Sequence, residues 1–146
     1  MKLETLLPLG KVDPGLREPA APFDLHTIGR ESLKAEELGY DNIMFEETKF
    51  DPYAVMALAA NATRKVGIGT AVAIAFPRSP AVTAMSAWTL QSLSGGRFTL
   101  GLGTQVRAHI ERRYGLKWSP AGPWMREYVL AVKEIWRAWQ SSEQPD

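Results

Sequence analysis

Short apolar runs alternate with helical patterns along the chain, and this alternation predicts the fold class. Several of these runs are apolar on successive residues, which is typical of strands buried on both faces. The predicted strands are residues 3–9, 42–46, 66–75 and 97–103. A helical pattern follows each strand, and short connections of this kind indicate right-handed parallel crossovers. The pattern predicts an α/β protein of about four βα units, and it fits a Rossmann-like sheet as well as part of a barrel.

The limits of the predicted helices carry their own signals. Asp24, Asp51 and Ser79 each precede a helical pattern and can accept the free amide hydrogens of a first turn. Glycine ends two of the helices, at Gly39 and after Ser94. We expect the apolar faces of the helices to pack into the core. These faces are Val55, Leu58, Ala59 and Ala62 in the second helix, Val82, Ala87 and Leu90 in the third, and Met125, Tyr128, Val129, Val132, Ile135, Trp136 and Trp139 in the last.

Composition places the chain among soluble globular domains. Of its 146 residues, 45% are hydrophobic and 23% charged, so we expect one domain over residues 1–146. A net charge of +1 without a long basic block argues against binding to nucleic acid or a membrane surface. With no cysteine and no histidine pair at ligand spacing, we expect no disulfide and no metal site. The first residues lack the pattern of a signal peptide, and a cytoplasmic protein is therefore expected.

Two glycine pairs lie inside predicted strands. They are Gly67-Ile68-Gly69 and Gly101-Leu102-Gly103. Neither stands at a strand-to-helix turn, and neither continues to the third glycine of a dinucleotide-binding fingerprint. We therefore expect these glycines to permit close backbone packing or a bulge, rather than to bind a phosphate.

Parallel α/β folds bind their ligands at the carboxyl ends of strands, which makes the residues after each strand the candidate site. Glu46 and Glu47 end the second strand, and adjacent strand residues point to opposite faces, so only one of them can face the mouth of the site. Such a carboxylate could orient a cofactor or carry a proton, although a pair of solvated loop carboxylates is the commoner interpretation. His109 fits a surface histidine on a charged helix better than a phosphate ligand.

Several longer motifs follow one another along the chain. They are the run from Gly39 to Phe45, Ile68-Gly69-Thr70-Ala71-Val72, Ala75-Phe76-Pro77-Arg78-Ser79-Pro80, the run from Leu93 to Gly103, and the run from Gly103 to Arg113. Ser-Gly-Gly-Arg-Phe before a glycine-bearing strand is the most specific of these signals. From about Leu3 to Trp139, the chain resembles the luciferase-like monooxygenase superfamily, and most closely its F420-dependent subgroup.

The resemblance implies a fold and a function. The implied fold is the N-terminal half, about four βα units, of a TIM-type (β/α)8 barrel of the bacterial luciferase-like type. The implied enzyme is an oxidoreductase that uses the deazaflavin coenzyme F420, or alternatively FMN, for hydride transfer or oxygen insertion on a small organic substrate. In that family the third strand ends in a bulge with a cis peptide between two non-proline residues, and the matching bond here is Ala71–Val72.

The resemblance also implies a cofactor site. Its residues are Glu47, Thr48, Ala71, Val72, Gly103, Thr104 and Gln105. Glu47 stands where many relatives carry an acid, and it is the implied catalytic residue. Thr48 stands where F420 enzymes often carry histidine, and this departure argues against a histidine-based proton transfer.

The chain contains four of the eight units that the implied barrel needs. A four-unit sheet leaves two edges that can pair with another chain. We therefore expect a fragment, a half-barrel that forms homo-oligomers, or the partner of a separate second half-barrel. Two other functions stay open: a non-catalytic half-barrel that serves as a cofactor-binding or assembly module, and a phosphate-ligand barrel enzyme without a flavin.

Overall fold

A computed structural model describes residues 1–7 and 24–142 of the chain. Two compact units make up the structure. The first consists of Met1–Ala73 and Leu90–Gly101, and the second of Ile74–Thr89 and Leu102–Asp146. Within the described ranges, no helix has both the length and the apolar character needed to cross a membrane.

The first unit contains a four-stranded parallel sheet. Its strands, in spatial order, are β1 (Glu4–Leu6), β2 (Asn42–Phe45), β3 (Gly67–Thr70) and β5 (Phe98–Thr99). A two-stranded sheet pairs β4 (Ala73–Ile74) with β6 (Leu102–Gly103). Parallel neighbours joined through helices are the arrangement of βα units, which confirms the predicted α/β class.

The third and fourth predicted strands are each interrupted. Residues 66–75 form β3 and β4, which are separated at Ala71–Val72. Residues 97–103 form β5 and β6, which are separated at Leu100–Gly101. The prediction of two continuous strands was wrong because a run of apolar residues reports burial, whereas a bulge changes backbone pairing without interrupting burial.

The first two strands are shorter than predicted. Strand β1 ends at Leu6, and the predicted strand residues 8–9 lie outside the described part of the chain, as does the predicted loop 10–22. Strand β2 ends at Phe45, one residue before Glu46. The acidic pair therefore begins the connection that follows the strand.

The helices begin at the predicted caps. Asp51 accepts two amide hydrogen bonds from the first turn of its helix, and Asp24 and Ser79 accept one each. Gly39 has a φ of 84°, the left-handed conformation expected after a helix end. The helices are α1 (Ile28–Glu37, after a 3₁₀ turn at Leu25–Thr27), α2 (Pro52–Ala62), α3 (Pro80–Ser94), α4 (Arg107–Arg112) and α5 (Ala121–Ser142).

One face of the four-stranded sheet is buried far more than the other. Ile43, Phe45 and Ile68 are at most 1% exposed. On the opposite face, Met44 is half-buried and Leu6 is 47% exposed. The expectation of burial on both faces was therefore wrong for β1 and β2. Their apolar residues alternate between a covered face and an open one.

Two helix faces also differ from the prediction. Leu58 of α2 is 48% exposed, whereas Met56 and Ala60 are buried. Val82 of α3 is 44% exposed, whereas Leu90 is buried as expected. Both helices are apolar on most sides, so spacing alone could not identify which side faces the core.

Aromatic side chains form the core of the second unit. Phe76 stacks on Trp124 with 3.7 Å between ring centroids. Tyr128 is buried, and its hydroxyl lies 2.5 Å from that of Thr83. Burial raises the pKa of Tyr128. The indole of Trp136 donates to a backbone carbonyl of α3 at 3.0 Å. The expectation that the tryptophans of the last helix pack in a core is confirmed.

Arg97 binds the connection between α2 and β3 with its whole guanidinium group. The two terminal nitrogens donate to the carbonyl oxygens of Ala60, Thr63 and Val66 and to the hydroxyl of Thr63. Nε donates to the carbonyl oxygen of Ser94 at 2.7 Å. All five N–H groups of a guanidinium are used in this way. The arginine of the Ser-Gly-Gly-Arg-Phe motif thus satisfies carbonyl groups that the end of a helix leaves unpaired.

Glu36, near the end of α1, binds the backbone amides of the same connection. Its carboxylate accepts the backbone N–H groups of Arg64, Lys65 and Val66 at 2.6–3.2 Å. Burial acts to raise the pKa of Glu36, but these three amides and the charge of Arg97 outweigh it and hold the pKa below its usual value. The carboxylate of Glu36 therefore satisfies the amides of one short connection, and the guanidinium group of Arg97 satisfies its carbonyls.

Replacing Arg97 by lysine should destabilise the first unit. The single ammonium group of lysine cannot reach all the oxygens that the planar guanidinium group of Arg97 binds, so several carbonyl groups would lose their hydrogen-bond donors. We expect the Arg97→Lys variant to lose about 2–4 kcal/mol of unfolding free energy, measured by urea denaturation followed by circular dichroism. Arg30→Lys is the control, because the Arg30 side chain is 73% exposed, and it should leave the transition unchanged. An unaltered Arg97→Lys transition contradicts this role.

The stability contributed by Glu36 should depend on pH. Because its pKa is lower in the folded chain, the carboxylate stabilises the fold above the ordinary glutamate range, and this contribution is lost as pH falls through the folded pKa. Glu36→Gln should cost about 1 kcal/mol at pH 7, since solvent still reaches the group. The difference between variant and parent should shrink below about pH 4. Denaturation at both pH values checks this, with the exposed neighbour Glu37→Gln as control.

Candidate functional site

Three of the four glycines in the two pairs, Gly67, Gly69 and Gly101, permit close packing, as expected. A Cβ on Gly67 would lie 2.0 Å from the side-chain oxygen of Asn42, and one on Gly101 would lie 2.1 Å from the carbonyl oxygen of Thr70. At Gly69 a Cβ would meet a backbone carbonyl and the side chain of Met44 at 2.9–3.2 Å. These contacts leave no room for side chains in the centre of the sheet.

The backbone between β3 and β4 forms a bulge at Ala71–Val72. The peptide bond between these residues is cis, which confirms the geometry implied by the family resemblance. The amide of Ala71 donates to the carbonyl oxygen of Phe45 at 2.8 Å, and the carbonyl of Val72 accepts the amide of Glu47 at 3.3 Å. Strand β2 and the residues after it therefore support the bulge along one side.

The other side of the bulge is bound by Gly101. The amide of Ala73 donates to the carbonyl oxygen of Gly101 at 2.9 Å. The hydroxyl of Thr70 donates to the same oxygen at 2.7 Å and accepts the amide of Gly101 at 2.8 Å. Sequence reasoning did not single out Thr70, because a threonine in a strand is ordinary and its partner lies 31 residues away.

The side chains of the bulge differ in exposure. Val72 is 44% exposed, Ala71 is half-buried, and Ala73 is buried. The bulge thus presents one methyl group and one branched apolar side chain on a backbone whose polar groups are bound on both sides. An exposed apolar surface on a firmly held backbone is suited to contact with a flat, apolar ligand surface.

The acidic segment after β2 belongs to the same unit. Glu46, Glu47 and Thr48 are all half-buried. The structure places Glu47 beside Val72 through the backbone bond described above. The hydroxyl of Thr48 accepts the amide of Phe50 at 3.4 Å, which orders the turn that follows. Four of the predicted site residues, Glu47, Thr48, Ala71 and Val72, are thus neighbours at the carboxyl ends of β2 and β3.

The other predicted site residues lie in the second unit. Gly103 ends β6 and accepts the amide of Ala75 at 2.9 Å. Gln105 has a φ of 58°, a backbone conformation that residues other than glycine rarely adopt. Its side-chain oxygen accepts the amide of Val106 at 2.9 Å. Thr104 lies between them and is half-buried. Their part in a cofactor site stays a prediction. The histidine of α4, His109, is exposed, as expected.

A pocket of about 360 Å³ lies beside Arg97 in the first unit. It is lined by Ala60, Thr63, Arg64, Ser92, Leu93, Ser94, Gly95 and Arg97. The N–H groups of Arg97 are all bound to protein oxygens. Arg97 therefore has no free donor to offer a ligand in this pocket, and its guanidinium group serves the fold.

Comparison with known proteins identifies the family. The profile described as "Luciferase-like monooxygenase" matches residues 1–145. The chain therefore belongs to the luciferase-like monooxygenase family, as the motifs of the sequence predicted.

Two relatives come from Mycobacterium tuberculosis. "Uncharacterized protein Rv1360" is 40% identical over 119 residues, which are 82% of this chain and 35% of the relative. "Putative coenzyme F420-dependent oxidoreductase Rv3520c" is 36% identical over 103 residues, which are 70% of this chain and 30% of the relative. The chain spans about a third of the length of these relatives.

The crystal structure of monooxygenase RslO1 from Streptomyces bottropensis has a similar fold over most of this chain. Its TM-score is 0.79 at 25% sequence identity, and the match covers 93% of this chain and 43% of that one. The fold is thus that of part of a luciferase-like TIM barrel, which confirms the predicted fold class.

Proposed function

We propose that this member of the luciferase-like monooxygenase family provides the ring-binding wall of a redox cofactor site. The cofactor is the deazaflavin F420, with FMN as the alternative. The parent enzyme transfers hydride to a small organic substrate, or inserts oxygen into it if FMN is bound. The observation that carries the proposal is the bulge at Ala71–Val72, whose backbone is held on both sides while Val72 stays 44% exposed.

The residues of the first unit fit a tricyclic ring. A planar ring needs an apolar surface without projecting side chains, and the methyl group of Ala71 beside Val72 supplies one. When bound, such a ring accepts or donates hydride, or in the FMN case activates oxygen. The protein's share is to hold the ring in one orientation and to exclude water from one face. Because the amide of Ala71 and the carbonyl of Val72 are already bound, this surface is set before any ligand arrives.

Glu47 is the residue proposed to hold or move a proton. Its backbone amide is bonded to the carbonyl of Val72, so its position is tied to that of the ring-binding surface. It is half-buried, and a carboxylate in such a position can accept or donate a proton at its side-chain oxygens. Thr48 follows it in the position where many F420 enzymes have histidine, and a threonine hydroxyl cannot be a base near neutral pH.

The choice between the two cofactors follows from the relatives. Rv3520c, whose name includes coenzyme F420, is 36% identical over most of this chain, and this favours the deazaflavin. The name of the family includes monooxygenase activity, which requires a group that activates oxygen, and FMN is therefore the alternative.

A complete barrel around this wall requires further βα units. The open face of the sheet, with Leu6 exposed and Met44 half-buried, is the surface that such units would cover. These units would come from the rest of a longer chain, from a separate second half-barrel, or from a second copy of the chain. The same open face favours the alternative function, a non-catalytic assembly module.

Titration of the folded chain with F420 and with FMN tests the cofactor proposal. We expect saturable quenching of cofactor fluorescence by F420 and weaker binding of FMN. Preferential binding of FMN would reverse the choice of cofactor. A chain that is folded by circular dichroism and binds neither compound contradicts a ring-binding role for this segment on its own.

Replacing Glu47 by glutamine tests the proton-transfer role in the enzyme that carries the complete barrel. The variant keeps the side-chain size but cannot ionise, so turnover should fall by about 10²–10⁴-fold while cofactor affinity stays similar. Glu46→Gln is the matched control, because it removes the neighbouring half-buried carboxylate of the same connection, which the proposal does not place in the site, and its turnover should be retained. Equal rates for Glu47→Gln and the parent remove Glu47 from the mechanism.

A further inference from the structure

Thr70 is a buried residue whose side chain replaces backbone pairing. It is 1% exposed, and its hydroxyl makes both of its hydrogen bonds to Gly101. Gly101 lies in the break between β5 and β6, where the regular ladder of the sheet stops. A single hydroxyl can both donate and accept, so it satisfies the carbonyl and the amide of one residue together. Without this arrangement the amide of Gly101 would lose its partner, whereas its carbonyl would keep the amide of Ala73.

The same glycine also binds the far side of the bulge. Its carbonyl oxygen accepts the amide of Ala73 in addition to the hydroxyl of Thr70. The residues directly before and directly after Ala71–Val72 are therefore bonded to one atom. The backbone of Gly101 can come this close only because it has no Cβ, which would lie 2.1 Å from the carbonyl oxygen of Thr70.

These contacts set the position of the bulge without touching its exposed surface. The Thr70 side chain is buried, whereas the surface proposed to receive the ring is formed by Ala71 and Val72. Because Thr70 directly precedes that surface, a displacement of Thr70 relative to Gly101 would also displace Ala71. Sites of this kind lose function when supporting residues allow displacements of about 1 Å.

We infer that Thr70, through its paired hydrogen bonds to Gly101, is a positioning residue for the cofactor ring. The inference rests on the proposed function, since a positioning role requires that the bulge bind a ring. Thr70 is 1% exposed and does not belong to the surface proposed to meet the ring. Its effect passes through the backbone of Ala71–Val72 alone.

Substitutions at Thr70 distinguish the effect of losing the hydroxyl from the effect of changing the shape of the side chain. Thr70→Val keeps the branched shape but removes both hydrogen bonds, and it leaves the amide of Gly101 without its partner. Thr70→Ser keeps the hydroxyl. Thr63→Val is the control for lost stability, because Thr63 is also a buried threonine of the first unit with a bonded hydroxyl, and it precedes β3 rather than following it.

The experiment measures the dissociation constants of F420 and FMN for the parent chain and the three variants by fluorescence titration. Thermal unfolding is recorded in parallel. We expect Thr70→Val to weaken binding by about tenfold or more and to alter the fluorescence of the bound ring at saturation. Thr70→Ser should bind within about threefold of the parent. Thr63→Val should lose thermal stability while keeping the parent's dissociation constant. Thr70→Ala repeats the test if the valine variant does not fold.

The outcomes distinguish the two proposals. If the parent binds a cofactor and Thr70→Val binds it equally well, with the same spectrum, the positioning role is overturned and the proposed function is not. If Thr63→Val weakens binding as much as Thr70→Val does, the effect reflects stability, and the positioning role is again overturned. If the folded parent binds neither cofactor, the proposed function of the chain fails, and the role of Thr70 fails with it.

Discussion

The connection of residues 63–66 is the point on which the first unit depends. It leads from α2 into β3, the strand between β2 and β5, and it has backbone amides on one side and carbonyls on the other. Glu36 satisfies the amides and Arg97 the carbonyls, so two opposite charges fix the entry of the strand. The strand that it enters ends at Thr70, where separate contacts to Phe45 and Gly101 hold the backbone. The bulge at Ala71–Val72 lies at that end.

The two ends of β3 divide stability and function in the way parallel α/β folds do in general. At the amino end, the polar groups of Arg97 are all bound to the protein, and the neighbouring pocket has none of them to offer. At the carboxyl end, the backbone is equally well bound, but an apolar side chain, Val72, stays exposed. Of these two ends, the carboxyl end is the one that leaves an apolar side chain exposed to a ligand.

Local signals in the sequence predicted the local features of the fold. Asp51 before Pro52 marked a helix start because a cap acts within three residues, and the paired glycines indicated close packing because little else fits such positions. Leu58 and Val82 were assigned to the wrong side because helices apolar all round do not reveal their covered face. Arg97 and Thr70 act on residues about 30 positions away, and no periodicity records such contacts. Glu47 was a candidate from its place after the second strand, whereas Thr48 entered the candidate site through the family resemblance.

The distribution of one residue type has a practical consequence. All five tryptophans of the chain, at positions 88, 118, 124, 136 and 139, belong to the second unit. Intrinsic tryptophan fluorescence therefore reports on the second unit, with its aromatic core around Tyr128, and not on the strands of the first unit. A tryptophan introduced into the first unit would give each unit its own optical reporter, and the order in which the two units melt could then be read from one sample.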